Sequence, residues 1–341
     1  MRVLALGGGG YIGSHLCKRL LEGGHTVAVL DTDFEKFDVV LGERGSSAHR
    51  INQDLRDVSE VALAELCREA DVVIDLIAHA TPALYNKQPL EVVQLNLFEN
   101  LRVVEACRAV GTRLVQFSSC EVYGLAQYAE DVFSEDTSKL TVGPICESRW
   151  IYSCAKQLLE RMVHAEGEQR GLEWSIIRPF NFIGPEMDYL TTDFDDKVPR
   201  VFPQFVSSLL HGRPLRLVDG GGAHRTFTYI DDAIDGCLLV VENQDQRFSQ
   251  EIVNVGAKGN GATIAELAGL MCAIYTELAD KPSPDIVTVS SEDFYGKGYA
   301  DCNVRVPDIT KLAAAGWEPK YSLPEAIDKT LRYYLFSPDQ R

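Results

Sequence analysis

Short apolar runs recur along the first half of the chain, each followed by a stretch with helical spacing. Val3–Leu6, Thr26–Leu30, Val72–Leu76, Leu114–Ser118 and Trp174–Arg178 read as strands, with His49–Asn52 a weaker one. Between them the apolar positions take up a helical period, which predicts helices over Tyr11–Glu22, Val61–Glu69, Pro89–Val110 and Trp150–Glu166. Strands alternating with helices imply parallel crossovers, hence an α/β fold built on a doubly wound parallel sheet.

The pattern changes after Arg178. Turn-rich stretches appear (FIGPEMDYLTTDFDDKVP and VDGGGAHR), followed by short strands and helices that end in a helical Leu323–Leu335. The expected division is a nucleotide-binding domain over 1–178 and a smaller mixed C-terminal lobe over 179–341 for the substrate. Segments near 225–255 are expected to return to the first domain. Irregular lobes on regular scaffolds carry recognition.

Composition narrows the function. With 33 Lys+Arg against 50 Asp+Glu, the net charge of −17 repels nucleic acid and anionic membrane. No apolar run is long enough to span a bilayer. A chain that opens directly into a strand predicts no leader peptide. The nine cysteines contain no Cys-x-x-Cys pair, and Cys17, Cys107, Cys237 and Cys272 sit inside apolar patterns, so reduced thiols and a cytoplasmic location are expected.

The clearest motif is Gly7-Gly-Gly-Gly10-Tyr11-Ile12-Gly13, which follows a strand and opens a helix. Glycines at that place let the backbone approach a pyrophosphate, which the helix N-terminus attracts. Asp31 ends the second strand, where an acid bonds ribose hydroxyls and repels a 2′-phosphate, so the cofactor reading is NAD. Asp54 and Leu55, after the third strand, are expected to cover the adenine. No metal site is expected.

A second motif is Tyr152-Ser-Cys-Ala-Lys156, with the tyrosine and lysine one helical turn apart. A nearby ammonium favours the phenolate, making Tyr152 a base for a hydroxyl proton. Together with NAD this supplies both halves of an alcohol oxidation.

These motifs, with Arg178-Pro-Phe-Asn181, Phe182-Ile-Gly184-Pro185 and Arg225–Asp232 (RTFTYIDD), make the chain resemble an extended short-chain dehydrogenase/reductase that modifies nucleotide sugars, with a Rossmann cofactor domain. FSSCEVYG (Phe117–Gly124), RWIYSCAKQLLER (Arg149–Arg161) and YGKGYADCNVRVPDI (Tyr295–Ile309) sharpen the resemblance to the UDP-glucuronate decarboxylase branch, which includes the UDP-apiose/UDP-xylose synthases and the aminoarabinose-pathway decarboxylases.

The resemblance implies roles. Tyr152 takes the proton of the sugar 4-hydroxyl while NAD accepts hydride from C4. Lys156 lowers the tyrosine pKa and holds the nicotinamide ribose. The resulting 4-ketone is β to the C6 carboxylate, so CO₂ can leave. Glu121 and Arg305 meet that carboxylate, Ser119 bonds near O4, and Cys120 lies in the site. Asn181, Arg200 and Arg225, with Arg305, are the expected substrate contacts. The implied product is a UDP-4-keto-pentose, re-reduced to UDP-xylose, and the implied assembly is a homodimer built on helices Pro89–Val110 and Trp150–Glu166.

Apiose-forming relatives carry a second cysteine where this chain has Ala80. With Cys120 alone, UDP-xylose is the favoured product over UDP-apiose. A UDP-glucuronate 4-epimerase would use the same tyrosine but keep the carboxylate. A 4,6-dehydratase is disfavoured by Cys120, which stands where those enzymes have an acid. The non-enzyme alternative is an NAD-sensing regulator, which would not need the Tyr152–Lys156 pair.

Overall fold

Seven parallel strands form the central sheet: β1 (Arg2–Leu6), β2 (Thr26–Asp31), β3 (His49–Asn52), β4 (Val72–Asp75), β5 (Arg113–Phe117), β6 (Trp174–Pro179) and β7 (Glu251–Val255), in the order β7-β6-β5-β4-β1-β2-β3. The computed structural model describes residues 1–128, 132–193, 196, 198–295 and 304–336. Alternation along β1 feeds two cores: Val3 and Ala5 point to one, Leu4 and Leu6 to the other. The first core includes Leu16, Leu20, Ile234 and Val253. The second includes Leu63, Val104, Leu159 and Trp174, so helices Glu60–Arg68, Asn100–Val110 and Trp150–Arg170 cover that face.

Register positions the site. Leu6 lies beside both Leu30 and Asp75, and Asp75 beside Gln116, so the C-terminal ends of the central strands share one edge. The chain reverses between β1 and β4 in the strand order, and ligands of such sheets bind at that edge.

The long helix expected over Pro89–Val110 is not regular. Gln94–Glu99 is wound as a π-helix between α-helical Pro89–Val93 and Asn100–Val110. The reason is polar: buried Asn96 accepts from His79 N at 2.7 Å, and Asn100 donates to Ile77 O at 3.2 Å and to Leu95 O at 3.0 Å. Both side chains turn inward to satisfy the loop after β4, and the ladder widens to let them. The helix expected to end at Glu166 runs on to Arg170, where Gly171 at φ 75° stops it.

Beyond β6 the chain forms helices Val201–Leu210, Ile264–Ala279 and Leu323–Phe336 and three two-stranded ribbons. Helix Ile230–Glu242 packs against helix Tyr11–Glu22 and is tied to it by Arg19–Asp235 at 2.5 Å. The first core continues from these helices into Phe205, Leu215 and Leu267 without interruption. Among the described residues no helix is long and apolar enough to cross a membrane. Cys17, Cys107, Cys237 and Cys272 are buried thiols outside any disulfide, as are Cys67 and Cys120.

Candidate active site

The glycine loop is shaped by close approach. Gly7 takes φ +76° and donates its N–H to Leu30 O at 2.8 Å. A Cβ on Gly9 would lie 2.0 Å from Asp33 O, and one on Gly13 would lie 2.6 Å from Gly8 Cα. Gly9, which the motif spacing does not single out, is thus the tightest position. Gly10 precedes helix Tyr11–Glu22, whose first turn has no acidic residue and no side-chain cap, so its N-terminal N–H groups face the loop. Tyr11 is buried and Ile12 half-buried against the core. Asp31 accepts from Gly9 N at 2.8 Å and Thr32 N at 2.7 Å. Burial raises its pKa against the pull of those donors. The cradle and acid fit the pyrophosphate and ribose of NAD.

Asp54 is held by Arg56, with Nη2 at 2.6 Å, and caps a short turn in which Leu55 is buried. Leu55 therefore packs inward, and Asp54 forms the rim beyond β3.

Tyr152 and Lys156 lie on the buried face of helix Trp150–Arg170. Lys156 donates to Phe117 O at 3.0 Å. Burial lowers its pKa to about 8, while Asp75 and Glu160 hold the proton on. Tyr152 stacks on Tyr85, rings 4.8 Å apart and 10° from parallel. Burial pushes the Tyr152 hydroxyl above its ordinary range. The groups that pull it down are Ser119, by a hydrogen bond, and Arg200, by its charge. Lys156, one turn along the same helix, bonds the end of β5 at Phe117 O.

Glu121 sits in the turn Cys120–Tyr123 that follows β5, with Ser119 Oγ accepting its N–H at 3.1 Å. Arg305 Nη1 meets Glu121 Oε1 at 2.6 Å, and Arg149 Nη2 meets it at 3.0 Å. Burial raises the Glu121 carboxyl, but Arg149, Arg305 and Arg225 outweigh it and leave its pKa at about 2. The same Arg305 nitrogen lies 3.7 Å from Cys120 Sγ. Ser119, Cys120, Glu121, Tyr152 and Arg305 are thus brought together at the end of β5. The motif Tyr295–Ile309 that contributes Arg305 lies partly outside the described residues.

The expected substrate contacts are each held by bonds within the protein. Asn181, at φ 38°, donates Nδ2 to Thr226 O at 3.0 Å. Arg225 is buried and donates to His224 O at 2.8 Å. Arg200 forms a two-pronged pair with Asp188, at 3.0 and 2.7 Å, that turns its guanidinium into the loop. His79 is half-buried and its backbone pairs with Asn96.

The sequence model of the NAD dependent epimerase/dehydratase family matches residues 3–256. The chain belongs to this family. It is 41% identical to UDP-D-apiose/UDP-D-xylose synthase 1 of Arabidopsis thaliana, over 98% of this chain and 91% of that one. It is 40% identical to the UDP-D-apiose/UDP-D-xylose synthase of Oryza sativa subsp. japonica, over 98% and 89%. The PbgP3 protein of Burkholderia pseudomallei superposes with a TM-score of 0.83 at 32% identity, covering 98% of this chain and 96% of that one. UDP-glucose 4-epimerase of Thermus thermophilus, solved with NAD, gives 0.80 at 26%, covering 99% and 100%. This protein is an enzyme of the family, and its cofactor is NAD.

Within an epimerase/dehydratase frame, three further residues stand out that sequence reasoning did not place. Arg149, beside the Tyr-x-x-x-Lys motif, is buried on Glu121. Tyr85 covers Tyr152. Asp75, at the end of β4, is fully buried, and burial raises its pKa to about 6. The first lies within the quoted Arg149–Arg161 stretch, but its partner is 28 residues away in sequence. The other two carry no local signal.

Proposed function

We propose that the protein is a UDP-glucuronate decarboxylase that converts its substrate to a UDP-4-keto-pentose and on to UDP-xylose. The observation that carries this reading is the buried Glu121–Arg305–Arg149 cluster beside Tyr152. A UDP-glucuronate 4-epimerase uses the same tyrosine and keeps the carboxylate. A decarboxylase also needs groups that seat and then release a carboxylate, and guanidinium forks suit that anion. Similarity to the UDP-apiose/UDP-xylose synthases supports the same substrate.

NAD, when bound, supplies the hydride acceptor for the sugar C4. Tyr152 is the base for the O4 proton, with Ser119 as its hydrogen-bond partner. Lys156 fixes the end of β5 through Phe117 O, and so the position of the Ser119–Glu121 turn. Glu121, whose pKa is held low by Arg149 and Arg305, repels a carboxylate brought against it while those two guanidiniums hold that carboxylate in place. A ketone at C4 takes up the electron pair as CO₂ leaves C5, and a proton replaces it there. Arg225 and Asn181 bind the UDP part, and Arg200 lines it from the Asp188 side. Ala80, in place of a second thiol, favours UDP-xylose over UDP-apiose. The working form is a homodimer.

The test separates the two steps. Arg305→Ala should still oxidise UDP-glucuronate at C4 but form CO₂ slower by roughly 10²-fold or more. Equal loss of ketone and CO₂ formation would reduce Arg305 to a binding residue.

A further inference from the structure

The five residues Gly184–Asp188 lie between β6 and the helix that follows Arg200. Gly184, Glu186 and Asp188 all take positive φ, at 156°, 64° and 53°. Such backbone persists where its surroundings fix it, and here the segment is gripped at several points. His15, in the first turns of helix Tyr11–Glu22, donates Nε2–H to Pro185 O at 3.4 Å. Glu186 N–H donates to Tyr334 Oη at 2.7 Å, and Tyr333 donates to Glu186 Oε1 at 3.0 Å. Lys36 Nζ donates to Asp188 O at 2.5 Å. The Asp188 carboxylate in turn receives Arg200 N, Nε and Nη2 at 2.8, 3.0 and 2.7 Å. Tyr11, of the glycine motif, packs so close that a Cβ on Gly184 would meet its hydroxyl at 3.1 Å.

Two of these grips come from the cofactor cradle. Asp31, the ribose acid, holds Thr32 N and Asp33 N at 2.7 and 3.3 Å. Asp33 then holds Glu35 N at 2.9 Å, and Lys36 follows directly. Asp31 is thus joined by a short chain of hydrogen bonds to the segment that carries Lys36. His15 reaches the same loop from the helix that opens at the glycine motif.

We infer that Lys36 is a positioning residue: by fixing Asp188, and through it Arg200, it couples occupancy of the NAD cradle to binding of the sugar nucleotide. This rests on the UDP-sugar reading of the Arg200 pocket. Coupling between two ligands is reciprocal, so each tightens the other by the same factor.

The experiment is calorimetric titration of the full chain with UDP, with and without saturating NAD, and with NAD in the reverse order. NAD should tighten UDP by about 5-fold or more in the unaltered protein. In Lys36→Met that factor should fall to within roughly two-fold of unity, and Lys36→Arg should keep most of it. His15→Leu, which releases Pro185, should lower the factor too, and it serves if the first variant does not fold. UDP binding whose coupling to NAD is absent, or is unchanged in Lys36→Met, overturns the role of Lys36 alone. UDP that does not bind the unaltered protein overturns the sugar-nucleotide reading and this inference together.

Discussion

Lys156 and Asp75 are both fully buried, and each shifts the other's protonation. Lys156 falls to about 8 from an ordinary 10.5, so between those values the folded protein holds fewer protons than the unfolded chain. Its contribution to stability therefore rises as pH climbs through that window. Asp75 rises to about 6 from 3.8, so its contribution is full below 3.8 and is lost as pH climbs through 6. Near pH 7 both are charged, and the carboxylate keeps the proton on the lysine. Activity should fall above about pH 8, where the ammonium that holds Phe117 O is lost. Asp75→Asn removes the supporting charge, and the alkaline limb of the kcat profile should move to lower pH. An unmoved limb would assign it to another group. The placement of Tyr152, Lys156, Asp31 and the glycine motif was legible in the sequence because it depends on local spacing. Asp75, Tyr85 and Arg149 were not, because their meaning comes from partners across the fold: Tyr85 from a stack on Tyr152, Arg149 from a carboxylate after β5.

Strands and the helices of the first half were readable from periodicity, with boundaries shifted by a residue or a turn. The π-helical Gln94–Glu99 was hidden, because Asn96 and Asn100 look like ordinary helix positions until the loop after β4 presents its backbone to them. The segments Pro89–Val110 and Trp150–Arg170 also carry the proposed dimer face. Leu90, Phe98, Leu158 and Met162 are large and apolar yet 83, 53, 47 and 37% exposed. Leu158 and Met162 lie four residues apart, on one stripe of helix Trp150–Arg170. An uncovered apolar stripe of this kind marks an association surface. Light scattering should give twice the 37.8 kDa chain mass. Leu158→Glu should shift the mass toward the monomer at micromolar concentration. A monomeric unaltered protein at every concentration would contradict the dimer.

The whole molecule places its chemistry where a doubly wound sheet must. The edge formed by β1, β2, β4 and β5 carries, in order, the glycine loop, Asp31, Asp75 and the Ser119–Glu121 turn. That edge was foreseeable from strand order alone. What the second half adds was harder to read, since Asn181, Arg225 and Arg305 reach the same edge from turn-rich segments with no periodicity. Their convergence also depends on one core that runs beneath both halves. Arg200 shows the limit: its guanidinium is set by Asp188, a partner the sequence does not mark. The most direct test is to incubate the protein with NAD and UDP-glucuronate labelled at C6, collecting released CO₂ and following the sugar by NMR. Label should pass into CO₂, with UDP-4-keto-pentose and UDP-xylose accumulating. Label that stays on the sugar while C4 inverts would mean that the carboxylate is kept, and decarboxylation would be ruled out.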